Sequence, residues 1–445
     1  INQYLNKYAY SNATLADLLH ELEKASGRDL KAWSAKWLEE SGINTIATEV
    51  EENADGTIAS LTLNQTAPAE HPVLRPHRLA VGFYDEDPAT GKIVRTDRFE
   101  LDVDGESTVV AAAAGKKRPA FILVNDDDLT YTKLRFDADS LSFALANLQR
   151  FDDALARAVV WLSLWDMTRD GDLAAEKFID TTLALLATET ESTTFRYALS
   201  CMSTTAWHYT APDRRADVVK HVAKELWKLV IAAPGGSDQQ FQLVTAYLGY
   251  GEEGDAEFAE HAQGLFDGSL IVAGLEIDNN FTWTIINALS SVKLIDQAGI
   301  DAQLAKRDTT ENREFALGAH AVRGDAAAKE WAWNEALNNA DLTNMQLEAV
   351  ARGFGATPRP DLAEPYAAKY YDVVDWVWKN KSFHMAEALL EGLYPYYADP
   401  ATLVELGHRW LADHEDADNA LKRIVRGNVE SSQRTLKVRD FNAAL

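Results

Sequence analysis

One cysteine, Cys201, stands among 445 residues, which excludes an internal disulfide and every paired-cysteine metal or redox motif. Basic residues are scarce as well. Lys and Arg number 43 against 69 Asp and Glu, a formal net charge of −26. Nucleic acids and anionic membranes draw most of their affinity from clustered Lys and Arg, so neither is an expected partner. No segment approaches the roughly 18 uninterrupted apolar residues of a membrane span. The opening Ile1-Asn2-Gln3-Tyr4 carries neither a methionine nor a signal peptide and runs straight into periodic sequence. The expectation is a cytoplasmic chain truncated from, or processed out of, something longer.

What is present is ordinary for a folded protein: 47% hydrophobic and 25% charged residues. The length exceeds what one hydrophobic core serves, so two or three domains are expected, one of them an extended helical array. An acidic surface lining a cavity would attract cationic ligands such as a peptide's terminal ammonium.

Along the chain the apolar period changes twice. Leu15, Leu18, Leu19 and Leu22 recur at helical spacing, with Thr14 placed to cap, Asp17 three residues on and Gly27 at the stop. Leu30, Trp33, Trp37 and Leu38 share the face of a second helix, which Gly42 ends. Two such helices cannot bury their apolar faces alone, and the faces of Leu15, Leu22, Trp33 and Trp37 imply a neighbour. From about Ile46 to Asp137 the period is two: Leu61 and Leu63, then Leu79, Val81 and Phe83, then Phe99, Leu101 and Val103 alternate with polar or small residues. Asp55-Gly56 and Asp104-Gly105 are hairpin-grade turns, and Ala120 to Val124 reads as a central strand. About seven short strands predict a small antiparallel sandwich. Beyond Asp137 the pattern is helical to the end, with segments near 139–168, 173–189, 192–208, 214–231, 237–250, 293–303, 324–337, 361–379 and 415–426. No strict repeat is present, so an irregular superhelical array, an α-solenoid of HEAT-like helix pairs with a concave inner surface, is expected. The predicted domains are 1–45, 46–137 and 138–445.

Catalytic constellations are missing. A zinc site on a helix needs two histidines at i and i+4, as in H-E-x-x-H. His20-Glu21 begins that motif but meets Lys24, and His414-Glu415 begins it but meets Asp418. Both read as helix-surface residues. Asp126-Asp127-Asp128 lacks EF-hand spacing and reads as a turn whose carboxylates bond backbone amides. Cys201 lies in an apolar helical stretch, as an inert core thiol would. Trp161 with Trp165, Trp331 with Trp333 and Trp376 with Trp378 read as packing residues. One cluster opposes the acidic trend: Lys422, Arg423, Arg426, Arg434, Lys437 and Arg439 fall in the last 24 residues. A solvated helix favoured by its dipole explains it. A site for a peptide carboxylate is the sharper alternative, with Arg423, Arg426 and Arg434 as candidates, because Arg offers a carboxylate two parallel donors.

Three stretches together resemble the aminopeptidase N family, particularly its actinobacterial branch. Tyr4 to Gly42, with Ala9-Tyr10-Ser11-Asn12-Ala13-Thr14 and Ser26-Gly27-Arg28-Asp29-Leu30, looks like the closing helices of that family's thermolysin-like catalytic domain. Leu123-Val124-Asn125-Asp126-Asp127-Asp128-Leu129-Thr130-Tyr131 resembles the last strand of its β-sandwich. Trp165-Asp166-Met167-Thr168-Arg169-Asp170 resembles an early helix of its carboxy-terminal domain. The resemblance implies a parent zinc enzyme that removes amino-terminal residues from peptides, with its zinc ligands, amino-group binding segment and catalytic tyrosine upstream. No catalytic or metal-binding residue maps onto this chain. The implied role is architectural: the helical domain closes over the catalytic domain of the same protein and limits which peptides enter. The chain alone is expected to bind no zinc and to hydrolyse nothing. The rival expectation is a free-standing helical-repeat scaffold that presents its concave surface to a partner.

Overall fold

The computed structural model describes residues 1–445 and resolves into two units, Ile1–Met167 and Thr168–Leu445. In the first, a short helix α1 (Asn2–Lys7) precedes α2 (Leu15–Ser26). Thr14 caps α2 as its spacing predicts: its hydroxyl accepts from the Asp17 amide, the Asp17 carboxylate accepts from the Thr14 amide at 2.9 Å, and Gly27 closes the helix at φ 69°. The second predicted helix is shorter than its apolar pattern suggests. α3 (Lys31–Ser34) passes into a π turn at Ala35–Glu39. Buried Arg75 holds that end, taking the carbonyl oxygens of Lys36, Glu40 and Ser41 at 2.7–3.0 Å. These are orphan helix-end acceptors, so the guanidinium serves as the missing cap. Trp37 lies against it, ring centroid 5.6 Å from the guanidinium carbon, and donates its indole N–H to the Pro76 carbonyl. Trp37 therefore has its neighbour within this unit, whereas Leu5, Leu15, Trp33 and Leu38 stay exposed.

Seven strands form the two sheets of a small sandwich: β1 (Thr45–Glu52), β2 (Ile58–Thr66), β3 (His77–Glu86), β4 (Ile93–Val103), β5 (Ser107–Val109), β6 (Phe121–Val124) and β7 (Lys133–Arg135). Their orders are β5-β2-β1-β7 and β4-β3-β6. Asp55-Gly56 turns β1 back onto β2 in antiparallel register. Asp104-Gly105 does something else: β4 pairs with β3 while β5 pairs with β2, so this turn carries the chain from one sheet to the other. β3 also departs from simple alternation. Leu79, Val81 and Phe83 are buried as predicted, but so are Ala80 and Tyr84, because β3 is the central strand and its second face lies beneath the Asp126 turn. Gly82 permits that approach, since a Cβ there would meet the Asp126 carboxylate at 2.7 Å. Helix α4 (Ala138–Asn147) follows, then α5 (Ala154–Asp170), which spans the division between the units.

The second unit is helical throughout. It contains α6 (Ala175–Leu186), α7 (Ser192–Thr204), α8 (Arg215–Ala232), α9 (Asp238–Leu248), α10 (Ala256–Asp267), α11 (Asn279–Ser291), α12 (Gln297–Lys306), α13 (Thr310–Ala321), α14 (Ala326–Asn338), α15 (Asn344–Gly355), α16 (Pro360–Ala363), α17 (Ala367–Asn380), α18 (Phe383–Gly392), α19 (Pro400–Asp413) and α20 (Asn419–Ala443). Helices absent from the predicted segments, such as α10, α11 and α13, begin at side-chain caps: Asp255, Asp278 and Thr309 each accept from an amide of the first turn. α11 packs on α13, α13 on α15, and α15 on α18, the arrangement of stacked helix pairs. Close contact needs small residues, and a Cβ on Gly353 of α15 would stand 2.6 Å from the Gly318 carbonyl of α13. Buried Lys329 ties these two helices at their ends, donating to the carbonyls of Ala321, Gly353 and Phe354 at 2.7–3.2 Å and to the Thr357 hydroxyl.

The segment predicted to be helical at 415–426 is the start of a longer helix. α20 runs for 25 residues, packs on α18 and α19, and reaches the π turn at Thr205–Tyr209 with its far end. There Asn442 accepts from the Ala175 amide at 2.8 Å and donates to the Tyr209 carbonyl. The last helix thus closes the array against its first members.

Candidate functional site

No three His, Cys, Asp or Glu side chains stand together among the described residues in a way that could hold a metal ion, so the donors present do not fit a zinc centre. His20 is exposed on α2. His414 is more than a solvated residue, since its ring stacks on Trp410 at 4.4 Å and its Nε2 lies 2.9 Å from an Asp375 carboxylate oxygen. Cys201 is buried in α7. The Asp126 turn is held by side chains rather than by the predicted amide bonds: Tyr84 donates to Asp126 at 2.6 Å, Arg95 bridges Asp126 and Asp127 at 2.7 and 2.8 Å, and Arg98 binds Asp127 at 2.8 Å. The Arg95 guanidinium beside Asp127 holds that carboxyl below the usual range.

The basic residues of α20 are distributed along the helix and lie in different surroundings. Arg423 is exposed and reaches Glu387 at 3.7 Å. Arg426 is exposed and unpaired. Arg434 is half-buried and near enough to Tyr209 for its charge to favour the phenolate, although burial moves that phenol upward overall. At 1.5 Å per residue, Arg426 and Arg434 are separated by roughly 12 Å along the helix. Lys422 turns back to the Glu415 carbonyl.

A second basic pair lies where the far end of α20 meets the π turn and the start of α8. Arg439, 9% exposed, donates from Nε to the His208 carbonyl at 2.7 Å. Arg215, at the start of α8, has a buried Nε with no acceptor. Burial lowers the pKa of both, that of Arg439 to about 10 with the Arg215 charge adding to the effect. Both charges act on His208, whose ring lies flat against Tyr397 at 4.7 Å. Burial, then Arg439 and Arg215, push His208 down to about 3, so the imidazole is neutral. Burial lifts Tyr397 to about 12, so its phenol keeps its proton. Among the α20 arginines the sequence shows no reason to favour Arg439 over its neighbours. Arg215 leaves one legible trace: Arg214-Arg215 opens a helix, where the dipole disfavours cations.

The chain is similar to known proteins along its whole length. A family model described as the ERAP1-like C-terminal domain matches residues 121–434. An aminopeptidase N from Streptomyces lividans is 36% identical over 450 residues, an alignment that takes in 100% of this chain and 52% of that protein. The chain therefore spans about half the length of the curated relative it matches. With its small sandwich, its all-helical second unit and a match covering most of its residues, the chain belongs to the ERAP1-like C-terminal domain family and corresponds to the carboxy-terminal region of an aminopeptidase N.

Proposed function

We propose that this chain is the access-controlling, non-catalytic part of a zinc aminopeptidase that removes amino-terminal residues from peptides. The observation that carries the reading is the similarity just described: the whole chain aligns with an aminopeptidase N, yet with only 52% of it. The hydrolytic half is then the remaining sequence, and zinc, polarising a carbonyl and activating water when bound there, is held by residues outside this chain.

The exposed side chains of Leu5, Leu15, Trp33 and Leu38 support it, because large apolar residues left exposed on the opening helices suit a surface that another part of the protein covers. In this reading 1–45 completes the catalytic domain, 46–137 is the sandwich and 138–445 encloses the active-site cavity. Basic residues of α20, with Arg423, Arg426 and Arg434 as candidates, draw the carboxylate end of the peptide. The enzyme works in the cytoplasm, where this chain's single cysteine needs no partner.

The test compares this chain with a longer protein extended upstream, measuring zinc content and hydrolysis of an aminoacyl chromogenic substrate. The reading expects a metal-free, inactive chain and an active, zinc-loaded longer protein. Stoichiometric zinc and turnover in the chain alone would overturn it.

A further inference from the structure

Helices α11, α13 and α15 leave a recess of about 300 Å³ between them, the scale of a small-molecule pocket. Glu314, Gly318 and Val322 line it from α13 and its end, each four residues from the next and so on one face. Met345, Ala349 and Gly353 line it from α15 at the same spacing. Phe315, Val322 and Met345 give it apolar walls.

The two glycines differ in what requires them. Gly353 is dictated by packing, since its Cβ would stand 2.6 Å from the Gly318 carbonyl oxygen. A Cβ on Gly318 would meet nothing nearer than the Ala349 carbonyl oxygen at 3.6 Å, an ordinary contact. Gly318 nevertheless sits inside α13, where glycine is a poor helix former. What a longer side chain at this position would remove is the recess.

Two acceptors lining the recess have no donor. The half-buried Glu314 carboxylate forms no ion pair and no hydrogen bond, and Asn287, on α11, has a buried Oδ1 that accepts nothing. Arg352, 77% exposed at the rim, reaches Glu348 at 3.9 Å rather than Glu314. The acceptors belong to opposite ends of the recess. Asn279 donates to Asn312 at 2.8 Å where α11 and α13 begin, and the Gly324 amide donates to the Ser290 carbonyl where they finish, so the helices run side by side in one direction. Counted from that first bond at 1.5 Å per residue, Asn287 stands roughly 9 Å further along than Glu314. A carboxylate at one end, a neutral acceptor at the other and apolar walls between them complement a linear molecule with N–H donors at both ends and a hydrocarbon middle.

We propose that this recess binds a free aliphatic diamine, one ammonium at Glu314, the hydrocarbon along Phe315, Val322 and Met345, and the second amine donating to Asn287 Oδ1. The inference rests on the recess alone and not on the aminopeptidase reading.

Ligand-detected NMR titration of the full 445-residue chain tests it, with cadaverine, pentylamine and ethylenediamine as probes. Cadaverine should saturate with a Kd of about 1 mM, the scale for so small a ligand. Pentylamine, lacking the far donor, should bind about tenfold more weakly, and ethylenediamine, too short to span the recess, more weakly still. Glu314→Gln should weaken cadaverine about tenfold. Asn287→Leu should erase the difference between cadaverine and pentylamine without lowering the thermal midpoint, because its oxygen has no protein donor to lose. Gly318→Leu should fill the recess and abolish binding, whereas Gly318→Ala should keep binding and hold or raise the thermal midpoint. Glu311→Gln, exposed on the same helix, should change nothing. Equal affinity for cadaverine and pentylamine overturns the diamine, as does a failure to saturate by about 10 mM, ten times the expected constant. If Glu311→Gln weakens binding as much as Glu314→Gln, or Gly318→Leu leaves it intact, the acidic surface at large holds the cation and the proposal fails. None of these readouts needs turnover, so a failure of the aminopeptidase reading, seen in the longer protein, leaves this result separate.

Discussion

Arg439 and His208, 231 positions apart in the sequence, are joined by one hydrogen bond of 2.7 Å from the guanidinium Nε to the backbone carbonyl oxygen. The bond links the last helix to the π turn after α7. Asn442, one turn further on, repeats the link to Tyr209 and to the Ala175 amide. Polar bonds at one helix end therefore help to close the helical array, the two from Asn442 buried and that from Arg439 partly so.

Replacing Asn442 tests the closure without touching Arg439. Asn442→Ala leaves the Ala175 amide and the Tyr209 carbonyl without their partner, which should cost about 2 kcal/mol. Hydrogen exchange should speed up at the end of α20 and in residues 205–209 while α11 to α15 keep their protection. Uniform loss of protection would show that the closure holds nothing locally.

Lys329 makes a prediction with a defined pH sense. Its Nζ stands among four oxygens, and its only charged neighbour of consequence is Asp325. Burial draws the ammonium down to about 7, against 10.5 for an ordinary lysine. Between those values the unfolded chain holds a proton that the folded chain has released, so stability owed to this residue rises with pH across the window and is least below about 7. Lys329→Met should destabilise by about 3 kcal/mol through the carbonyls left unpaired. The gap in urea midpoint between wild type and variant should widen from pH 6.5 to pH 9.5, a range chosen to straddle the lower value. A gap that stays flat would mean that the four oxygens hold the proton against burial.

The Asp126 turn separates a structural from a metal-binding role. Asp126 is 1% exposed and engages Tyr84 and Arg95 at once. Asp126→Asn removes the charge from a buried pair and should cost about 3 kcal/mol. Chelator or added calcium should leave the wild-type thermal midpoint unchanged, since arginines occupy the positions a cation would need.

Local signals were legible in the sequence where one residue decides one feature. Thr14, Asp17 and Gly27 fix the ends of α2, and Asp55-Gly56 fixes a hairpin, because capping and turn chemistry act within a few residues. Long-range partnerships were not legible. Asp104-Gly105 has hairpin chemistry, but which strand β5 joins is decided by β2, some forty residues earlier in the chain. Gly82 looks like the outward side of a strand until the Asp126 turn covers it. Arg75 and Lys329 sit in unremarkable local sequence, and only the fold places them on helix ends. The α20 arginines show the same limit: their clustering was visible, but not that the fold carries Arg439 inward to the His208 carbonyl.

Arg75 decides whether the first helices belong to the sandwich. Its guanidinium caps the π turn through three carbonyls, Trp37 covers it, and Lys36 donates to the Leu74 carbonyl at 3.1 Å from the same side. Arg75→Met keeps the stem and removes every donor, so the carbonyls of Lys36, Glu40 and Ser41 are left at a helix end that has lost its cap. Residues 31–41 should then exchange their amides much faster, while β1 to β4, whose core of Leu61, Leu63, Leu79 and Val81 is untouched, keep their protection. Trp37 fluorescence should shift toward that of a solvated indole as the contact opens. If instead the sandwich and the helices lose protection together, the two fold as one unit and Arg75 is part of a common core rather than a clamp between separable pieces.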